Sequence, residues 1–320
     1  MTNTTTSALH GHQHQQALGI DAVHFLHDFA DYLTRVKGLA PNTIKSYCFW
    51  VRRFLATFCG TSTPDWSALS GSELAAFVQK EASRLLRNGR EAPGVALRVL
   101  LRYLSFLGVI QDGLQGAIPQ RSRWMLVELP RHLPAADVER VVAGALDGSG
   151  RKGLRNYAIL LLLARTGLRA HEVAQLSLDD IDWTEGTICI RSKKTHTERR
   201  LPLAHDVGEA LSDYLKHGRP ACSFRTIFLR VIPPFDPFIG SAAVCRIARR
   251  ALTHVGILYT PAASHLFRHS AATRMLRGGA TFKEIADVLG HASITTTAIY
   301  AKLDIAALSR VAMQWPENAP

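Results

Sequence analysis

Apolar residues recur at helical spacing through the first third of the chain. A first stripe starts after Asp21 and ends at Gly38, and a second starts at Pro41, a residue suited to the first turn of a helix. The first stripe contains Val23, Phe25, Leu26, Phe29, Tyr32, Leu33 and Val36. Further helical runs near 72–86 and 95–107 complete the pattern, which predicts a four-helix domain over residues 20–112.

Two stretches interrupt the apolar pattern. Residues 1–19 are rich in Thr, His and Gln, which predicts a disordered tail. Residues 113–133 combine glycines and prolines with Arg121, Arg123 and Arg131, a composition typical of a linker. The sequence therefore predicts a basic linker at 113–133 and a second domain over 134–320.

The second domain is predicted to be helical with one small sheet. Helices are expected from Ala135 and over the apolar run 156–166. Between 178 and 203 the apolar spacing becomes alternating, with polar turns that predict about three antiparallel strands. After His205 the pattern is helical again, apart from a loop at 224–238. The predicted fold class is mainly α with a small antiparallel β-sheet in the C-terminal domain.

Helix signals are dense between residues 264 and 300. Thr281 precedes Glu284 at capping-box spacing, and Gly290 suits the left-handed end of the helix that follows. Ser293 can cap another helix. Its next residues, 294–297, are β-branched, so we predict that this helix is marginal alone and can be repositioned.

These helix ends bring four polar side chains towards one another. His265 and Arg268 lie three positions apart on one predicted helix face. His291 follows a helix end, and Tyr300 lies about two turns into the last helix. The stretch therefore predicts an anion site with a nucleophile beside it.

Two further groups could act on a phosphate diester. Arg169 follows a Gly-Leu break, and Glu172 could hold its guanidinium in one orientation. Lys193 and Lys194 lie in a predicted strand turn, from which an ammonium can protonate a leaving alkoxide. Considered singly, a surface ion pair, a solvated turn lysine and a core tyrosine are the commoner roles of such residues.

Composition narrows the class of partner. The net charge of +12 favours a polyanion, nucleic acid first, although many basic proteins bind none. Five scattered cysteines without a CxxC pair argue against a disulfide framework or zinc ribbon and favour a reducing cytoplasm. The longest apolar run, 158–164, is too short to span a bilayer.

The ordered set of residues resembles the phage-integrase, or tyrosine recombinase, family. That family has an arginine after Thr-Gly-Leu, a β-turn lysine, a His-x-x-Arg motif, a histidine after Leu-Gly and a later tyrosine. This chain supplies Arg169 in TGLRAHE, Lys194 in SKKTHTERRLP, His265 and Arg268 in HLFRH, His291 in LGHAS, and Tyr300. The spacing to Pro202 favours Lys194 over Lys193, and the doubled lysine leaves both open.

The resemblance implies an N-terminal core-binding domain with a SAM-like helical fold. LAPNTIKSY at 39–47 is similar to the opening of the second helix of that domain. The DNA-binding candidates on this helix and in the linker are Thr43, Lys45, Arg52, Arg53, Arg121 and Arg123. A solvated basic face is the alternative for the helix, and a plain connector for the linker.

The resemblance also implies a mechanism. Tyr300 attacks a phosphate of double-stranded DNA and forms a 3′-phosphotyrosyl link, which frees a 5′-hydroxyl. Arg169, Arg268 and one or both histidines stabilise the developing charge, with His265 as candidate base, Lys194 as acid and Glu172 in support. The bond energy is kept in the covalent link, so neither a metal nor another cofactor is needed.

A recombinase of this kind needs four subunits on two duplexes, so a homo-tetramer, or an assembly with related recombinases, is expected. An apolar stripe near the C-terminus contains Leu303, Ile305, Ala306, Leu308, Val311, Ala312 and Trp315. In the family such tails dock on a neighbouring subunit, and packing on the chain's own domain is the alternative. Two other functions remain open: a type IB topoisomerase and a non-catalytic DNA-binding accessory protein.

Overall fold

The computed structural model describes residues 20–300 except for 61, 86–88, 112, 121–130, 147, 149, 193–196, 259–262, 292–296, 298 and 299. Several predictions lie outside the described residues: the tail 1–19, Arg121, Arg123, Lys193, Lys194, the Ser293 cap and the C-terminal stripe. The chain divides into two compact units, Met1–Arg123 and Trp124–Pro320. The predicted boundaries at 112 and 133 fall on either side of this division.

The first unit is built from four α-helices within its described residues. They are α1 (Ile20–Arg35), α2 (Pro41–Phe58), α3 (Gly71–Ser83) and α4 (Ala92–Phe106). Pro41 occupies the first turn of α2, as the sequence predicts, and a Ser70–Glu73 capping box starts α3. Helix α2 packs against α1 and α4 around Phe29, Leu33, Phe54, Leu97 and Leu101.

Two residues of the predicted core stripe in α1 are exposed. Val36 lies beyond the last helical residue, Arg35. Val23 lies about 100° around the helix from Ala22, which is buried because it is nearly in phase with Phe29. The prediction was therefore wrong for Val23 and Val36.

The second unit is mainly helical with a three-stranded sheet, which confirms the predicted fold class. Its described helices are α5 (Ala135–Ala143), α6 (Gly150–Thr166), α7 (Ala170–Gln175), α8 (His205–Asp213), α9 (Ala242–His254), α10 (Ala263–Arg277) and α11 (Phe282–Leu289). Helix α8 continues into a π-helical turn, Tyr214–Gly218. Residues 158–164 of α6 are all buried, so α6 is the centre on which α5, α8, α9 and α10 pack.

The sheet has the antiparallel order β1-β2-β3, with β1 at Ile181–Asp182, β2 at Thr187–Ser192 and β3 at Thr197–Pro202. Ile188 pairs with Leu201, and Ile190 pairs with Arg199. Directly paired residues share one face of an antiparallel sheet, and Ile188, Ile190 and Leu201 are all buried. Arg199 therefore lies on the inward face of β3.

The ends of α11 agree with the sequence signals. Thr281 and Glu284 form the predicted capping box, and Gly290 has a φ of 65°, the left-handed conformation expected at this helix end. A left-handed residue turns the chain sharply, so His291 lies directly beyond the carbonyl end of α11. No helix in the described part of the chain is both long and apolar enough to cross a membrane.

Candidate active site

Arg268 is the buried centre of the candidate site. Its side chain lies on α10, and the residue is only 4% exposed. Nη1 donates to the carbonyl of Gly167 at 2.9 Å, and Nη2 donates to the carbonyl of Leu289 at 2.6 Å. Burial lowers the pKa of Arg268 to about 10, with the charge of Arg169 acting in the same direction. The guanidinium is thus held by backbone carbonyls rather than by a bonded carboxylate.

Arg169, the cap residue just before α7, reaches one of these carbonyls and the next one along the chain. Its Nη1 lies 3.3 Å from the carbonyl oxygen of Leu289, and its Nη2 lies 2.9 Å from that of Gly290. Arg169 and Arg268 therefore share the Leu289 carbonyl, although they are far apart in the sequence. About a third of the Arg169 side chain, 31%, remains exposed, so one side of this guanidinium is open to a ligand.

Glu172 fixes the orientation of Arg169. The carboxylate Oε1 lies 3.2 Å from Arg169 Nη1, and Oε2 accepts the backbone N–H of Arg169 at 2.8 Å. Burial pushes the pKa of Glu172 upwards, but the hydrogen bond and charge of Arg199, followed by Arg169, outweigh it and leave the pKa lowered. The carboxylate is therefore ionised and bridges two guanidiniums.

Tyr300 is buried beside this cluster. It is 1% exposed and packs with Ala272, Ile285 and Leu289. Its hydroxyl lies 2.7 Å from Nδ1 of His269. Burial raises the pKa of Tyr300 to about 12, and the positive charge of Arg268 opposes this rise.

His269 is the hydrogen-bond partner of Tyr300. Burial, together with smaller contributions from His265 and Arg268, lowers the pKa of His269 to about 4. The imidazole is therefore neutral at pH 7. With its proton on Nε2, the ring accepts a hydrogen bond from the Tyr300 hydroxyl at Nδ1.

The two histidines predicted from the sequence lie beside the arginines. His265 is exposed on α10, and its pKa is lowered by desolvation and then by Arg268 and Arg169. His291 is half-buried, and burial followed by the same two arginines lowers its pKa to about 4. His291 Nδ1 lies 2.7 Å from Thr297 Oγ1, a contact that orients the ring.

The cluster combines fixed positive charge with neutral histidines. Such a site can bind an anion, stabilise negative charge that grows during a reaction, and hold or transfer a proton. The structure brings together Arg169, Glu172, His265, Arg268, His291 and Tyr300 from the predicted set. Lys194 lies outside the described residues. Where side chains are described, no group of three or more His, Cys, Asp or Glu residues could hold a metal ion.

Sequence reasoning missed Arg199 and His269. Arg199 donates from Nη2 to Glu172 Oε2 at 2.9 Å and from Nε to the Val288 carbonyl at 3.0 Å. Both contacts join residues far apart in the chain, so local spacing does not identify the partners of Arg199. An inward-facing arginine paired with an isoleucine, and a histidine next to Arg268, are the signals that could have drawn attention to them.

The cations on the basic face of α2 differ in whether they form an ion pair. Lys45 and Arg52 are exposed, and neither makes an ion pair with any residue that the structure describes. Thr43 is half-buried. Arg53 is also half-buried, lies over the Phe49 ring and binds the buried Glu81 carboxylate at 2.8 Å. The charge of Arg53 is thus already partnered.

Comparison with known sequences identifies relatives along most of the chain. The phage integrase family model matches residues 131–306, more than half of the chain. The y4rA protein of Sinorhizobium fredii, named as an integrase/recombinase, is 41% identical over 288 residues, which cover 90% of this chain and 70% of that protein. The tyrosine recombinase XerD of Mycobacterium tuberculosis is 30% identical over 309 residues, covering 89% and 95% of the two chains.

A solved structure has a similar fold. The XerH site-specific recombinase, bound to its palindromic difH substrate in a post-cleavage complex, superposes with a TM-score of 0.72. It is 20% identical, and the match covers 95% of this chain and 91% of that one. The family model and the sequence relatives lead to one assignment. The chain belongs to the phage integrase family of tyrosine-type site-specific recombinases.

Proposed function

We propose that the chain cleaves and rejoins double-stranded DNA at specific sites through a 3′-phosphotyrosyl intermediate on Tyr300. The observation that carries this proposal is that Arg169 and Arg268 converge on the Leu289 carbonyl. Tyr300 lies beside them, hydrogen-bonded to the neutral His269. Two guanidiniums held this way can bind the non-bridging oxygens of a phosphate diester.

In the cleavage step, the Tyr300 oxygen bonds to phosphorus and the bond from phosphorus to the 5′ oxygen breaks. The phenol proton passes to a histidine, with His265 as the candidate base because its exposed ring is accessible to DNA. The departing 5′ oxygen takes a proton from Lys194. Arg169, Arg268 and His291 stabilise the charge on the transferring phosphate.

In the rejoining step, the 5′-hydroxyl of a partner strand attacks the phosphotyrosyl link and releases Tyr300. The number and type of phosphodiester bonds do not change, so the exchange needs no nucleotide hydrolysis. Exchange between two duplexes requires four active subunits, which supports a homo-tetramer or an assembly with related recombinases.

Tyr300 has to move before it can react. Its hydroxyl is hydrogen-bonded to His269, and the residue is only 1% exposed. A DNA phosphate therefore cannot reach the hydroxyl in this arrangement. The contact with His269 is a resting position for the nucleophile. One neutral hydrogen bond contributes about 1 kcal/mol, an amount that DNA binding can offset.

Several other residues are proposed to bind DNA or to define the architecture. Lys45 and Arg52 on α2 are free to bind the DNA backbone, with Thr43 and the linker residues Arg121 and Arg123 as further contacts. Residues 20–112 would then act as the core-binding domain and 134–320 as the catalytic domain. An enzyme acting on DNA in this way belongs in the cytoplasm.

Covalent capture tests the proposal. The purified full chain is mixed with DNA duplexes that have a randomised core, the reaction is denatured with detergent, and DNA attached to protein is recovered and sequenced. Wild-type protein should retain a defined set of sequences, and the retained strand should have a blocked 3′ end while the other fragment has a free 5′-hydroxyl. Tyr300→Phe, which keeps the ring and removes the hydroxyl, should retain none.

Each other outcome identifies a different function. Retention by Tyr300→Phe would contradict the nucleophile assignment. DNA binding without any covalent product from wild-type protein would indicate an accessory protein. Covalent product with relaxation of supercoiled DNA, but no exchange between two captured sites, would indicate a topoisomerase.

A further inference from the structure

Arg199 lies next to the site, although the proposed chemistry gives it no role. It belongs to β3 and faces inward with its paired residue Ile190, and its side chain is 15% exposed. A charged side chain on the inward face of a strand requires partners. Those partners belong to the candidate active site described above.

Arg199 completes a set of three guanidiniums at the carbonyl end of α11. Arg199 binds the Val288 carbonyl, Arg268 and Arg169 bind the Leu289 carbonyl, and Arg169 binds the Gly290 carbonyl. The last carbonyls of a helix lack partners within the helix and carry its partial negative charge. Three cations therefore satisfy them and fix the position of this helix end.

Arg199 also controls the carboxylate that orients Arg169. Its Nη2 donates to Glu172 Oε2 at 2.9 Å, so Glu172 is held between Arg199 and Arg169. The Arg199 guanidinium lies against Gly290, where a Cβ atom would come within 2.3 Å of Nη1. The turn that leads to His291 is thus packed directly on Arg199.

We propose that Arg199 is a positioning residue, which holds Arg169, through Glu172, and the α11 end, with His291, in the geometry that the scissile phosphate requires. The proposal rests on the proposed function of the site. Arg199 is not assigned to the substrate, because its side chain is mostly buried and two of its nitrogen atoms already donate to Glu172 and Val288. It acts through the residues that it holds.

The fork of an arginine suits this position better than an ammonium. Nε and Nη2 donate to two different elements at once, α11 and α7. A lysine has a single nitrogen on a flexible stem and cannot reproduce both contacts in the same geometry. Arg199→Lys should therefore be intermediate between wild type and Arg199→Gln.

The first measurement is the single-turnover rate of covalent product formation on a DNA duplex recovered in the capture experiment. We expect Arg199→Gln to lower this rate by about 10- to 100-fold, the usual effect of removing a residue that orients a catalytic group. DNA affinity should stay within about threefold, because Arg199 is not assigned to the DNA and acts only through the residues that it positions. The matched control is Arg200→Gln, which removes the same charge from the next, exposed residue of β3 and should leave the rate within about threefold.

A second measurement separates positioning from loss of folded protein. The scissile phosphate is replaced by a methylphosphonate, which lacks the negative charge that the arginines neutralise. If Arg199 acts by positioning Arg169, the deficit of Arg199→Gln should shrink by about tenfold on this substrate, because less charge needs stabilising. An unchanged deficit on both substrates would overturn the proposal, and so would a wild-type rate in Arg199→Gln.

The pH profile provides a third measurement. Without Arg199, the pKa of Glu172 rises, so its ionised form is lost at a higher pH as the solution is acidified. The acid side of the profile of cleavage rate against pH should therefore shift to higher pH in Arg199→Gln and stay in place in Arg200→Gln. If the Gln variant does not fold, Arg199→Lys is compared with wild type on the two substrates. Failure of the proposed function is distinguishable, since wild-type protein itself would then form no covalent product.

Discussion

The cations around the end of α11 and those on the exposed face of α2 are organised in opposite ways. Arg169, Arg199 and Arg268 each donate to backbone carbonyls, and two of them also share Glu172. Lys45 and Arg52 are exposed and unpaired within the described part of the first unit. The first arrangement fixes charge before a ligand arrives, which suits chemistry, while the second leaves charge adaptable, which suits binding to a flexible backbone.

Arg53 shows that the surrounding structure, rather than the helix, decides between these arrangements. It lies next to Arg52 on α2, yet it binds the buried Glu81, which Arg84 also contacts. Its charge is fixed like those at the active site, but its partner is structural. Neighbouring arginines with the same sequence signal can therefore have different roles.

The largest expected effect comes from removing the most deeply held cation. Arg268→Gln should lower the rate of covalent product formation by about 10²- to 10³-fold, because it removes a preorganised donor from the transition state. DNA affinity should change far less, since the proposal assigns most of it to the exposed cations. Arg277→Gln is the matched control, because Arg277 is an exposed arginine on the same helix, α10. A loss of affinity as large as the loss of rate would contradict the distinction between fixed and adaptable charge.

The close approach of Arg199 to Gly290 gives the next prediction. Gly290→Ala combines a left-handed residue with a Cβ that would lie 2.3 Å from Arg199 Nη1. Gly186→Ala has almost the same φ, 60° against 65°, and no atom within 4 Å. We expect Gly186→Ala to lower the free energy of unfolding by about 1 kcal/mol and Gly290→Ala by about 2–4 kcal/mol.

Urea denaturation of the second unit measures this difference. Combining Gly290→Ala with Arg199→Ala removes the clash but keeps the backbone strain. The additional effect of the glycine substitution should then fall to that of Gly186→Ala. Equal effects of the two single glycine variants would show that Arg199 does not hold this turn.

The sequence signals identify some residues of the candidate site and miss others. Arg169, Glu172, Arg268 and His291 were identifiable because helix caps and motif spacing are local signals, and the structure has the predicted cap at Gly290. Arg199 and His269 depend on contacts of β3 with α11 and of α10 with Tyr300. Such contacts arise only when distant elements pack, so local periodicity contains no record of them.

The core stripe of α1 shows the same limit on a smaller scale. Hydrophobicity alone included Val23 and Val36, whereas the phase of the helix selects Ala22. A small residue in phase is buried, and a larger residue out of phase is exposed. The pattern gave the helix correctly but not the edge of its buried face.

The neutral histidines of the site predict a dependence of stability on pH. The pKa values of His269 and His291 are lowered from an ordinary 6.5 to about 4. The unfolded chain therefore binds more protons than the folded one as the pH falls below 6.5, so stability is full above this pH and is lost towards pH 4. At pH 5 the protonation of His269 should reduce the free energy of unfolding by about 2 kcal/mol. The effect of His291 should be about half as large, because this ring is more exposed and solvent screens its shift.

Denaturation at a series of pH values checks this sign. The double variant His269→Gln, His291→Gln should have a flatter profile between pH 6.5 and 4 than wild type. The matched control for loss of an imidazole is His217→Gln, which replaces an exposed histidine of the same unit. A profile that is equally steep in the double variant would show that these rings are not held neutral by the fold.

The smallest effects on DNA binding and cleavage should come from the neighbouring arginines of α2. Arg52→Gln removes an exposed charge, so DNA binding should weaken only a few-fold, and the slope of log affinity against log salt should decrease by about 0.9 if one phosphate contact is lost. Arg53→Gln leaves Glu81 with one cation fewer, so the first unit should lose about 1–3 kcal/mol of unfolding free energy. If the two effects were exchanged, the free cation of this face would be Arg53, and the geometry of its ion pair would have to change when DNA binds.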